Sequence, residues 1–374
     1  MTYQKQTMKT LRVLLRQAAL AMALGVATMA GAAWAADNQA VIDAAREEAK
    51  QGKFLVMVSS PKGERAHRAL MDAFQKRFGL DLDWEWMPLN SNVSAPRIVE
   101  QAKSGVRLPS AIGGYPTTVY EHWIVKNGLD QEVDWEGEFG GMFPTIGAAA
   151  VEGVLPKYRK RLMAQWNVLY VMVYNTNQVK PEEVPGSYEE LTQPKWKGRF
   201  AMPNNNSSPL DYLALELGRD GVVDLTRRLV ANEPRFKPGQ PAVVGAIVTG
   251  EAAAGVGGYT ALADAQKAKG APVDWKVLPS LPVQPLNSFM LKGAPQPNLG
   301  KLFLAWLSTE GQALQEKEEF LSLYRNEDSM TTKRIREMNP DVKILEVNTQ
   351  EDFDTIFQTE RAVMEVLSGA AVGK

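Results

Sequence analysis

Five consecutive amides and hydroxyls, Asn204 to Ser208, stand between a short apolar run, Arg199 to Met202, and the spaced leucines Leu210, Leu213, Leu215 and Leu217. The run reads as a buried strand and the leucines as a helix opening at Pro209. Ser208 is then the N-cap, since proline at the first helical position lacks only an N–H that would be unpaired there. The free N–H groups of such a first turn, with the polar side chains before it, suit an anion or a polar ligand. Asn and Ser also turn and cap chains without binding anything.

Similar side chains follow other predicted strands. Ser59 and Ser60 come after Phe54–Val58, Asn90 and Ser91 after the alternating stretch Leu80 to Met87, and Tyr115 and Thr117 after Leu108 to Gly114. Tyr259 comes after Ala252 to Val256. Serines and asparagines would donate to ligand oxygens, and the tyrosines would add a ring face and a hydroxyl. Arg97 offers a two-pronged guanidinium for a carboxylate, and Trp166 an aromatic wall. The candidate ligand-binding set is Ser59, Ser60, Tyr115, Thr117, Asn205, Ser207, Ser208 and Tyr259, with Arg97 and Trp166 as further candidates.

Several chemistries are excluded. The chain has no cysteine, hence no disulfide, thiolate metal site or cysteine nucleophile. It has no G-x-S-x-G elbow, H-E-x-x-H motif or P-loop. His67 and His122 fall on predicted helices among apolar neighbours and read as structural. No catalytic residue, metal-ligand set or resident cofactor is expected.

The elements that carry these turns repeat as strand, polar turn, helix three times over the first part of the chain. That order implies a parallel sheet with crossover helices, in which ligands sit at the carboxyl ends of the strands. Leu169 to Tyr174 is an unbroken apolar run and reads as one strand buried on both sides. A second block of such units follows. Val273 to Leu278 and Asn287 to Leu291 read as strands flanking a proline-rich connection, Pro279 to Pro285, which would return the chain to the first unit. A final helix carries Phe353, Ile356, Phe357, Val363 and Leu367. With 374 residues, two domains are expected.

The N-terminus carries Lys5, Lys9, Arg12 and Arg16, then an apolar run from Ala18 to Ala30, then Ala33-Trp34-Ala35. These are the parts of a cleaved secretory signal peptide spanning residues 1–35. Removing it makes the chain more acidic than its formal net charge of −1, which argues against nucleic acid or an anionic membrane surface as partner.

Four segments in series carry a resemblance: NTNQV after Leu169–Tyr174, SYEELTQPKWKGRFAMPN, GEAAAGVGGYTALADAQKAKGAPVDWKVLP, and LKGAPQPNLGKLFLAWLSTEGQ. Together they resemble the periplasmic solute-binding proteins of ABC importers, in the branch that includes the ferric-iron-binding proteins. The resemblance implies an α/β fold of type II, with two Rossmann-like lobes of mixed sheets joined by hinge strands. Lobe 1 would comprise residues 36–168 and 277–330, and lobe 2 residues 169–276 and 331–374. It also implies a periplasmic, non-enzymatic monomer that closes on a small solute and delivers it to the permease subunits in the membrane. A secreted hydrolase and a receptor for a sensor are the alternatives. The iron members are similar in using two adjacent tyrosines where this chain has Gly258-Tyr259. A small organic anion, such as a carboxylate, phosphonate or phosphate ester, is therefore the expected solute, with ferric iron and a co-bound anion as the alternative.

Overall fold

The computed structural model describes residues 39–150 and 154–372, so the expected signal peptide lies outside the described residues. In chain order the strands are β1 (Phe54–Val58), β2 (Trp84–Trp86), β3 (Ala111–Pro116), β4 (Met163–Leu169), β5 (Met172–Asn175), β6 (Phe200–Pro203), β7 (Arg235–Lys237), β8 (Ala254–Gly255), β9 (Val273–Lys276), β10 (Ser280–Phe289) and β11 (Lys343–Leu345). One sheet has the order β11-β10-β3-β1-β2, with β4 also paired to β10, and the other runs β7-β6-β8-β5-β9. Both are mixed: β1 pairs in parallel with β2 and β3, while β10 is antiparallel to β3 and β4. In the second sheet β6 is parallel to β7 and β8, and β5 is antiparallel to β8 and β9. This is the expected two-lobed α/β architecture.

The first unit follows its sequence pattern closely. Four apolar residues of the helix Glu64–Phe78, Ala66, Leu70, Phe74 and Phe78, recur every four residues and are buried, the last three in the core that contains Phe54 and Val56. The helix stops at Gly79, whose φ of 61° is the left-handed conformation that glycine adopts without a Cβ penalty.

Three long-range features depart from the sequence expectation. Leu169–Tyr174 is not one strand: β4 ends at Leu169 and β5 begins at Met172. Between them Tyr170 N–H donates to Pro282 O at 3.1 Å and Val171 N–H to Gly258 O at 3.2 Å. Successive residues thus bond to different lobes, and the chain changes sheets at that point. The proline-rich stretch expected as a loop is the body of β10. Pro282 and Pro285 fall where β10 has one partner strand, β11 and β4 respectively, whereas the doubly paired part, residues 286–288, contains no proline. A missing N–H costs no ladder bond on an unpaired edge. Finally, the segment from Thr331 onward does not keep to one lobe. Arg334 bridges Asp264 and Asp274 of lobe 2 and stacks over Trp275. The C-terminal helix, Gln350–Val372, buries Val363 and Leu367 in the lobe 2 core, whereas Ile356 falls in a cluster shared by Tyr120, Ile124 and Tyr158 of lobe 1 and Tyr212 of lobe 2, with Phe353 packed against that cluster.

Candidate functional site

The carboxyl end of β6 faces that of β3 across a cavity of about 280 Å³. Lobe 1 contributes Asn92 and Pro116 to Val119, β10 contributes Gln284 and Pro285, and lobe 2 contributes Asn205 to Ser208, Asp211 and Tyr212. Phe353, Ile356, Glu360 and Met364 of the C-terminal helix close the remaining side.

The polar turn after β6 is built around its own carboxylate. Ser207 Oγ and Ser208 Oγ each donate to Asp211 Oδ2 at 2.8 Å, and Tyr212 N–H donates to Asp211 Oδ1 at 2.9 Å. Asn206 Oδ1 accepts from Ser208 N–H at 2.8 Å. Ser208 is therefore not an N-cap. Residues Leu210–Leu213 form a 3-10 turn before the helix Ala214–Ala231, and the donors expected to receive an external anion are directed at Asp211. Asp211 is 3% exposed, and burial pushes its carboxyl up to about 6 despite those hydrogen bonds. Glu360 is held above the usual carboxylate range by burial and by the Asp211 charge.

Tyr170 ties this wall to the hinge. Its hydroxyl donates to Gln284 Oε1 at 2.9 Å and accepts from Gln240 Nε2 at 2.8 Å. Burial raises the pKa of Tyr170 and of Tyr212, so both are neutral phenols in the unliganded protein.

Of the residues expected to bind ligand, Thr117, Asn205, Ser207 and Ser208 line this cavity. The others do not. Tyr115 is 0% exposed because β3 continues to Pro116 and its alternation turns the ring inward. The ring packs edge-on to Phe289, its hydroxyl pairs with Ser94 Oγ, and burial pushes its pKa up to about 12. Ser60 Oγ donates to Glu319 Oε1, and Ser59 N–H is used by Gly113 O. Tyr259 packs against Trp166 and Tyr170, with ring centroids 6.3 Å away in each case, outside the cavity lining. Trp166 is buried beside it. Arg97 is exposed on the helix Ser91–Lys103, away from the cavity. His67 stacks on Trp86 at 4.5 Å, a structural role as expected.

Position 258 is informative. A Cβ there would meet Val173 Cγ2 at 2.4 Å, so the close approach of the turn after β8 to β5 leaves no room for a second tyrosine. Sequence reasoning missed Asp211 and Glu360. Asp211, three residues after Ser208, carried a local signal in the Ser-x-x-Asp spacing. Glu360 lies 149 positions later, on the last helix, and carried none.

Two mixed sheets facing each other across a cleft, with the chain crossing between them at Tyr170 and Val171, define the two-lobed class of binding proteins. The family described as bacterial extracellular solute-binding protein matches residues 143–331, half of the chain, and the chain belongs to that family. Iron uptake protein A1 of Synechocystis sp. is 31% identical over 127 residues, 32% of this chain and 35% of that protein. The match thus spans about a third of that relative's length. The fold is similar to that of an ABC transporter substrate-binding protein from Bradyrhizobium japonicum USDA 110, with a TM-score of 0.65 and 15% identity over 85% of this chain and 99% of the other. It is also similar to that of Trichodesmium IdiA (FutA) in complex with iron and citrate, with a TM-score of 0.62 and 16% identity over 85% and 99%. At such identities these two likenesses are of fold.

Proposed function

We propose that this chain is the periplasmic solute-binding component of an ABC importer, closing on its solute and delivering it to the permease, and that the solute is cationic. Ferric iron held together with a small chelating anion is the form that fits best. One observation carries this reading: among the described residues, the cavity lining includes the carboxylates of Asp211 and Glu360 and no lysine, arginine or histidine. A free organic anion would face two carboxylates with no opposite charge, so the anionic solute expected from the sequence is disfavoured. Carboxylates, hydroxyls, amide carbonyls and the phenol of Tyr212 are hard oxygen donors of the kind a small, highly charged cation prefers. A cavity of about 280 Å³ is several times the ~30 Å³ share of one water, which leaves space for a chelator beside the metal. The relatives named for iron point the same way.

A second reading rests on the same two carboxylates. The protein brings two carboxylates to the cavity, and a protonated diamine needs no further charged ligand. A melting screen separates the readings. Ferric citrate is expected to raise the melting temperature and citrate alone is not, with a visible phenolate-to-iron absorption if Tyr212 ligates. A ligand at ~100 times its Kd adds about 2.7 kcal/mol. Stabilisation by metal-free carboxylates or phosphonates would overturn the cationic reading, and stabilisation by diamines but not ferric citrate would favour the second.

A further inference from the structure

The C-terminal helix reaches both lobes and presents one face to the cavity. Phe353, Ile356, Glu360 and Met364 are three or four residues apart, so they share that face. Toward its C-terminal end the helix is anchored on lobe 2: Val363 and Leu367, both fully buried, pack with Val222, Leu225 and Leu229. Toward its N-terminal end it meets lobe 1, where Lys157 sits 5.7 Å over the Phe353 ring, and Ile356 belongs to an apolar cluster shared by Tyr158 of lobe 1 and Tyr212 of lobe 2. Glu360 lies between these two anchors. Among the described residues no cation is paired with it, and the charge that acts on it is Asp211 across the cavity. A carboxylate half removed from water without a counter-charge is costly.

We propose that Glu360, carried into the cleft by the C-terminal helix, is a specificity-determining residue that selects a cationic centre on the solute, and that a bound solute fixes this helix against both lobes. The inference rests on the cationic reading above. A positive centre between Asp211 and Glu360 relieves the repulsion between them, and it couples binding to lobe closure because Asp211 belongs to lobe 2 while the helix also grips lobe 1. Binding energy then favours the closed form through contacts that exist only when both lobes hold the helix.

The test uses the full chain, with ferric citrate and putrescine as cationic probes and citrate alone as the anionic one. For the probe that stabilises the wild type, Glu360→Gln is expected to weaken binding at least tenfold, and Glu360→Asp, which keeps the charge one methylene further back, to fall between the two. Backbone hydrogen exchange across residues 350–372 is expected to slow on loading in the wild type and not in Glu360→Gln. Wild-type affinity in Glu360→Gln, alongside lost binding in Asp211→Asn, would overturn the role of Glu360 and leave the cationic reading standing. Stabilisation of the wild type by citrate alone, and by neither cationic probe, would overturn both.

Discussion

The turn after β1 and the turn after β6 look alike in sequence: each follows a buried strand, carries adjacent serines and leads into a helix. In the folded chain each serves a buried carboxylate, but from different sources. After β6 the acid is local, Asp211, and it lines the cavity. After β1 it comes from the far end of lobe 1: Glu319, 1% exposed, takes Ser60 Oγ on one oxygen and Lys62 N–H on the other at 2.8 Å. The Lys62 ammonium then lies 3.6 Å over the Phe320 ring. Paired serines therefore mark a place where a buried anion is received, and that anion can be the protein's own. One turn is sealed and structural. The other is left beside space and a second carboxylate.

The difference can be broken or sharpened by experiment, beginning with the largest effect. Burial raises the Asp211 carboxyl from an ordinary value near 4 to about 6. A raised folded-state pKa means that the folded protein holds the proton more tightly than the unfolded chain. The associated stability is present below pH ~4 and is lost as pH rises through about 6, on the order of 3 kcal/mol at 1.36 kcal/mol per unit. In the unliganded protein, Asp211→Asn should therefore gain stability relative to wild type between pH 4 and pH 7, read as the difference of two denaturant curves. A difference that stays flat with pH would place Asp211 in water.

The same substitution is expected to weaken solute binding about a hundredfold, or about 2.7 kcal/mol, whereas Glu319→Gln should bind as wild type. Equal losses in both would erase the distinction between the turns. Glu319→Ala, which leaves Ser60 Oγ and Lys62 N–H without their partner, should lower stability by about 2 kcal/mol, measured at the denaturant midpoint. The smallest effect is expected for Ser60→Ala: about 1 kcal/mol of stability and no change in affinity. A Ser60→Ala variant that loses solute would bring the first turn back into the site.

The sequence by itself determined what local periodicity can encode. Phe54–Val58 is a strand, Glu64–Phe78 is a helix with its apolar stripe on the core, and the turn Asn204–Ser208 lies at the carboxyl end of a strand, hence at the ligand-facing edge of an α/β sheet. It also specified Asn205, Ser207, Ser208 and Thr117 as residues of that edge. Tertiary structure decided the rest, because each remaining feature depends on a partner far along the chain. Tyr170 breaks a strand by bonding to β10 while its neighbour bonds to lobe 2. Pro282 and Pro285 lie in a strand because their missing N–H groups face no second partner. Tyr115 turned inward when β3 ran two residues longer than its apolar pattern. Ser60 was taken by Glu319, 259 residues away, while Glu360 reached the cavity from the last helix. Placing those two carboxylates, one sealing a turn and one entering the cleft, required the packing of whole lobes, and it turned a predicted anion site into an acidic one.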